Sequence, residues 1–490
     1  MATIGIDLNR TIGTVDRRIF GNFIEHIGRC IYGGIFEEGS PLSDERGFRR
    51  DVLDAVRPLR IPILRWPGGN FVSGYHWLDG VGPLADRPRR SELAWYAEES
   101  NRFGTDEFIQ YCRAVGTEPH ICVNMGTGTM DEAQAWVEYC NGTGNTSWAN
   151  LRRTHGHPEP YRVRYWGLGN EMHGGWQIGS LSAEDYVKKA KTFALVMRRT
   201  DPSIELIGCG HNRVSDWDVT VIQGLAPVID YYSIHLYTGQ PDHYANVFSA
   251  HQAERAVRLC GASSSGCATP SASPIPFTSP STNGMSGIAS GSTRIAWAGW
   301  KSSSTSPTPS PWPPISMASS GSAGPSSSRT SPSSSTPSAP SSRASRDCSS
   351  RPSTHPLRLY AEHTLDTALD VYVDGPTYDL PPEREDPVRG RVHHVSDLGP
   401  FSLLDATATC DRTCGHAHPG RGESRQGSEP PGHHRPRRSR GGRRPSGLGG
   451  HRSRCGRHEF IRAAQRGGSP GRGRWTYRAA SSTTSSPHAR

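Results

Sequence analysis

From the N-terminus to about residue 261, short apolar runs alternate with longer stretches whose apolar residues recur every three to four positions. The short runs fall near 20–25 and at 61–65, 120–124, 161–167, 204–209 and 230–236, and each predicts a strand. Between them TDEFIQYCRAVG (105–116), DEAQAWVEYC (131–140) and SAEDYVKKAKTFALVMRR (182–199) have helical period. Ser182 is placed to cap the last of these, with Glu184 and Asp185 in its first turn. Strands alternating with helices predict a parallel sheet, and six such units favour a (β/α)8 barrel over an open sheet. Two units are then missing.

The pattern breaks at 262–356. The segment 301–350 holds 22 Ser in 50 residues, and Asp347 is the only acidic residue between 262 and 356. Taken by itself this composition predicts a disordered linker, which is an odd insertion in a sheet that must close or leave raw edges. Globular texture returns in LRLYAEHTLDTALDVYVDG (357–375) and HHVSDLGPFSLLDATA (393–408), then gives way after 412 to Arg, Gly and His. The domain reading is therefore 1–261, barrel units one to six; 262–356, Ser/Pro-rich; 357–412, the end of the barrel and the start of a second domain; and 413–490, Arg/Gly-rich.

Charge follows the same division. The formal +9 is carried by the tail, where 412–490 is crowded with Arg against three Glu, so residues 1–411 are net acidic. A basic-surface argument for nucleic acid thus concerns the tail alone. The eleven Cys form no CxxC pair, which favours reduced thiols and a cytoplasmic setting. MATIGIDLNRTIG has no basic-then-apolar leader, and no apolar run approaches the length of a membrane span. No His/Cys/Asp cluster has metal-ligand spacing, so no metal or cofactor is expected. The glycines at 68–69 and 126/128 lack the Lys and spacing of a phosphate loop.

The candidate chemistry lies in YWGLGNEMHGGW (165–176), where Glu171 follows an apolar strand and precedes a turn of small residues. Together with GNFIEHIGRCIYGGIFE (21–37), LRWPGGNFVSGYHW (64–77), CVNMGTGT (122–129) and YYSIHLYTG (231–239), this stretch resembles the α-L-arabinofuranosidases of glycoside hydrolase family fifty-one. The resemblance runs to about residue 261 and again over 355–410. It implies a (β/α)8 barrel joined to a C-terminal β-sandwich, and retaining hydrolysis of terminal α-L-arabinofuranosyl units from arabinan, arabinoxylan or their oligosaccharides. It further implies Glu171 as the acid/base and Asn170 on the sugar's 2-hydroxyl. Glu25 and Asn70 would bind furanose hydroxyls, with Tyr237 beside the second carboxylate and His235 close by. Trp77 and Trp176 read as pocket wall or core. A homo-oligomer is implied, with no nucleic-acid or membrane partner.

The family's nucleophile lies in a D-E-W-N-V-W motif after the seventh strand, and that motif is missing here. A coding of H-I-A-F-D-E-W-N-V-W as CAC ATC GCC TTC GAC GAA TGG AAT GTC TGG, read one base later, yields TSPSTNGMSG, which is the sequence of 278–287. The lost Glu codon would be split between Thr282 and Asn283. HAHPGRGES (416–424), shifted the same way, can read TLTLAVVNR, an apolar strand. On this reading 262–356 and 413–490 are out of frame, the Arg run is an accident of codons, and 262–356 lacks the seventh and eighth strands. Two function classes follow: the glycosidase, or a catalytically dead product of the same family with at most weak sugar binding.

Overall fold

A computed structural model describes residues 2–211, 215–238, 242–265, 354–382 and 394–411, with the backbone of 294–297, 301–302 and 474–476. The chain opens with β1 (Thr3–Thr14), which belongs to a second sheet, and then enters the barrel at β2 (Asn22–Phe23). Helix α1 (Arg50–Val56) leads to β3 (Ile63–Trp66). A hairpin, β4 (Arg90–Glu92) and β5 (Ala97–Glu99), precedes α2 (Thr105–Val115) and β6 (Glu118–Val123). After α3 (Met130–Asn141) and α4 (Ser147–Thr154) come β7 (Tyr165–Leu168), α5 (Ala183–Thr200), β8 (Glu205–Gly208), α6 (Asp216–Leu225) and β9 (Tyr231–Ile234).

β2, β3, β6, β7, β8 and β9 lie side by side in that order, all parallel, and each expected strand from 20–25 to 230–236 is present. β7 is buried at all four positions because helices cover one side and the barrel core the other. α5 shows why these helices form. Ser182 accepts a hydrogen bond from Asp185 N at 3.2 Å, and Tyr186, Ala190, Phe193, Ala194 and Met197 make one buried stripe. Between the sheet and its helices, Trp136 of α3 packs against Trp66, Trp77 and Trp166 with ring centroids 5.9–6.0 Å apart.

Beyond β9 the chain forms the short β10 (Tyr237–Thr238), α7 (His243–Phe248) and α8 (Ala250–Ser265). One expectation is corrected here. A seventh parallel strand does stand within 262–356: β11 (Arg294–Trp297) pairs with β9, and β12 (Lys301–Ser302) pairs with β10. The Arg-Ile-Ala-Trp run is a short β-compatible island in Ser-rich surroundings, and the free edge of β9 offers it a template. Among the described residues no eighth strand joins β11 to β2.

Helix α9 (Thr354–His363) leads to β13 (Thr367–Asp374), which runs antiparallel to β1 along its length. β14 (Thr377–Tyr378) pairs with β15 (Phe401–Ser402), and β16 (Ala408–Cys410) extends the β1–β13 sheet on one side. β17 (Arg474–Thr476), a strand within the Arg-rich tail, pairs with β1 on the other. Phe401 stacks on Phe248 at 4.3 Å, tying this region to α7.

Candidate active site

The sequence-predicted residues converge at one end of the sheet. Glu25 follows β2, Asn70 follows β3, Asn170 and Glu171 follow β7, and His235 and Tyr237 follow β9. All lie beyond the C-terminal ends of parallel strands, where barrel enzymes place their chemistry. Asn70, Asn170, Glu171, His235 and Tyr237 line a cavity of about 160 Å³ together with Phe23, Arg65, Gly69, Trp95 and Trp176.

Glu171 is 7% exposed and adopts φ 44°, a left-handed conformation that is uncommon for a residue with a Cβ. That backbone turn aims its carboxyl into the cavity, and three donors meet it there. His235 Nδ1 stands 2.7 Å from Oε1, the Tyr237 hydroxyl donates to Oε1 at 3.4 Å, and Trp176 Nε1 donates to Oε2 at 2.9 Å. Burial alone would raise this carboxyl. The hydrogen bond and charge of His235, with the Trp176 donor, outweigh burial and hold it at about 2. Tyr237 moves the other way: burial and the nearby Glu171 and Glu25 carboxylates push its phenol up, so it remains a donor.

Asn170 is oriented from both ends. Arg65 Nη2 donates to its Oδ1 at 2.6 Å, and its Nδ2 donates to Gln177 Oε1 at 3.2 Å. Gln177 in turn donates to Ser73 Oγ at 2.6 Å. Glu25, 1% exposed, accepts from Phe71 N at 3.2 Å and from Trp95 Nε1 at 3.1 Å. Gly68 makes this approach possible. It has φ 141°, and a Cβ there would lie 2.2 Å from Glu25 Cγ. The Gly68–Gly69 pair therefore serves a carboxylate, not a phosphate. Trp77 is core, 1% exposed with its Nε1 on Glu132 O at 3.0 Å, whereas Trp176 is pocket wall.

Reasoning from sequence missed Arg65, Gln177 and Trp95. Trp95 sits in the β4–β5 turn, outside any periodic run, so no pattern marked it. Thr282 and Asn283 lie outside the described residues. Among the described residues no group of His, Cys, Asp and Glu could hold a metal ion, and no helix is long and apolar enough to cross a membrane. The seven described cysteines are buried and form no disulfide.

Residues 55–255 match the family model of the alpha-L-arabinofuranosidase 1 domain. The first half of the chain is similar to α-L-arabinofuranosidases. It is 50% identical over 268 residues to alpha-L-arabinofuranosidase C of Emericella nidulans, covering 52% of this chain and 53% of that protein. An intracellular exo-alpha-(1->5)-L-arabinofuranosidase of Halalkalibacterium halodurans is 46% identical over 246 residues, 49% of each chain. The Thermotoga maritima alpha-L-arabinofuranosidase, solved as an arabinose complex, superposes with TM-score 0.52 and 53% identity over 54% of each chain. The matched region thus spans about half the length of these relatives.

Proposed function

We propose that the barrel is the catalytic domain of a retaining α-L-arabinofuranosidase that removes terminal non-reducing arabinofuranosyl units from arabinan, arabinoxylan or their oligosaccharides. The observation that carries this reading is Glu171, buried at the C-terminal end of β7 and met by His235, Tyr237 and Trp176 on one wall of a cavity that Asn70 and Asn170 also line. Glu171 protonates the leaving oxygen and then deprotonates water. Asn170, locked by Arg65 and Gln177, holds the 2-hydroxyl, while Glu25 and Asn70 hold other furanose hydroxyls.

A retaining site needs a second carboxylate roughly 5–5.5 Å from the first, to form the glycosyl-enzyme ester. We take 262–356 and 413–490 to be encoded one base out of frame, so that the message for the barrel also carries that carboxylate across the codons of Thr282 and Asn283. This accounts for the low value at Glu171. An acid must be protonated at rest, and the like charge of a neighbouring carboxylate acts in the raising direction. Without it, His235 and Trp176 dominate. The intracellular relative supports a cytoplasmic enzyme; we take it to be a homo-oligomer and give the Arg-rich tail no part in nucleic-acid recognition.

The test uses an aryl α-L-arabinofuranoside. The frame-restored chain releases arabinose, and Glu171→Gln in that chain loses activity mainly on substrates with poor leaving groups, because good ones need little acid assistance. The 490-residue chain as written, purified free of host glycosidases, releases essentially none. Turnover by that chain at ordinary enzymatic rates, or an inactive restored chain, overturns the reading.

A further inference from the structure

The turn that carries Trp95 is held by a carboxylate rather than by packing. β4 and β5 pair over three positions, Arg90 with Glu99, Ser91 with Glu98 and Glu92 with Ala97. A ladder that short is marginal on its own. The turn between the strands leaves Leu93 59% and Tyr96 95% exposed, and Tyr96 takes φ 55°, which a residue with a Cβ seldom adopts. Behind the hairpin, a cavity of about 110 Å³, lined in part by Phe71, Tyr75, Glu92 and Leu93, leaves the turn without a solid backing.

Glu92 supplies what packing does not. It is buried at the last position of β4, and its two oxygens take two backbone donors of the turn: Ala94 N donates to Oε1 at 2.7 Å and Trp95 N to Oε2 at 2.5 Å. Burial and the nearby Glu25 and Glu99 carboxylates push Glu92 up, and the two turn N–H groups act in the opposite direction. From the same turn the Trp95 side chain crosses to Glu25, where Nε1 donates to Oε1 at 3.1 Å. Trp95 therefore takes its backbone position from one buried carboxylate and fixes another with its indole. Trp95 lines the cavity that holds Glu171, and Glu92 does not.

We infer that Glu92 is a positioning residue of the sugar site, acting through the Trp95 turn to hold the Glu25 carboxylate where it receives furanose hydroxyls. This rests on the arabinofuranoside reading above and extends the site to a residue that touches no sugar. The experiment is calorimetric titration of the full chain with L-arabinose, in wild type, Glu92→Ala, Trp95→Phe and the double variant. Trp95→Phe keeps a ring but loses the N–H that meets Glu25, and weakens arabinose roughly tenfold. Glu92→Ala weakens it by a similar factor in the wild-type background and by less than about twofold beside Trp95→Phe, because the bond it positions is already gone. A merely structural role lowers affinity by the same factor in both backgrounds. Glu92→Gln, whose amide oxygen replaces one of the two acceptors, falls between wild type and Glu92→Ala, and it carries the same comparison if Glu92→Ala does not fold. Equal losses in both backgrounds, or unchanged affinity in Glu92→Ala or Trp95→Phe, overturn the positioning role alone. Failure of wild type to bind arabinose overturns both that role and the function on which it rests.

Discussion

β7 and β9 each carry a polar cluster at either end, and the two ends are built on opposite principles. At the N-terminal ends, Arg18 donates to the hydroxyls of Tyr165 (2.9 Å) and Tyr231, pairs with Asp16, and lies 3.9 Å from Glu205. Donors meet acceptors directly, and the guanidinium also lies over the Tyr165 and Tyr231 rings. At the C-terminal ends, Glu171 and His235 meet around a cavity, on a backbone turned to positive φ. The first arrangement neutralises charge within the protein. The second gathers charge and donors where a ligand must complete them. Barrels divide stability and chemistry between their two faces in this way.

The sharpest way to break that division is at Gly68. A side chain there collides with Glu25, at 2.2 Å from Cγ and 2.9 Å from Cα, and cannot relax because φ is 141°. Gly68→Val is expected to weaken arabinose binding at least a hundredfold, about 3 kcal/mol, by displacing Glu25 and Asn70 together. Calorimetry on a folded variant checks it, and affinity within a few-fold of wild type would mean that Glu25 does not hold the sugar.

The opposite end should respond in stability instead. Arg18→Leu removes the donor shared by the Tyr165 and Tyr231 hydroxyls and the cation paired with Asp16, while Glu205 keeps Arg164. The expected loss is about 2 kcal/mol, read from the urea midpoint. Arabinose affinity should stay within twofold, since no part of the cluster lines the cavity. A parallel loss of affinity would show that the two ends are mechanically coupled and the contrast is false.

How much of this was legible in the sequence depended on periodicity. Strands buried on both faces and helices with a clear stripe, such as 182–199, announce themselves, because burial forces apolar residues into register. β1 also carries a period-two signal, Ile4, Ile6 and Leu8, but it is not among the expected strands, which begin near residue 20. Glu25, Asn70, Asn170, Glu171 and Tyr237 were found through resemblance, since nothing in their spacing brings them together; only the sheet does. Trp95 and Arg65 stayed hidden for a related reason. Each acts by reaching across from another element, Trp95 to Glu25 and Arg65 to Asn170, and such contacts leave no local pattern.

Within the pocket, the smallest expected effect separates the two groups that share Glu171 Oε1. Above its ordinary value near 4.5 the carboxyl is ionised whether the chain is folded or not, so the stabilisation from its depressed value of about 2 is present in full. As pH falls below 4.5 toward 2 that stabilisation is lost. His235, at 2.7 Å, makes a short charge-assisted bond, whereas Tyr237, at 3.4 Å, lies beyond the ordinary 2.5–3.0 Å range for a hydroxyl donor. His235→Ala should therefore raise the Glu171 carboxyl by about one to two units, removing about 1.5–3 kcal/mol of the acid-sensitive stability. Tyr237→Phe should raise it by less than about half a unit, under about 0.7 kcal/mol. Carbon-13 titration of labelled glutamate, with Glu171→Gln to assign the resonance, measures both. If Tyr237→Phe moves the carboxyl as far as His235→Ala, the phenol and not the imidazole sets the acid's resting state, and the pocket floor must be redrawn around β10.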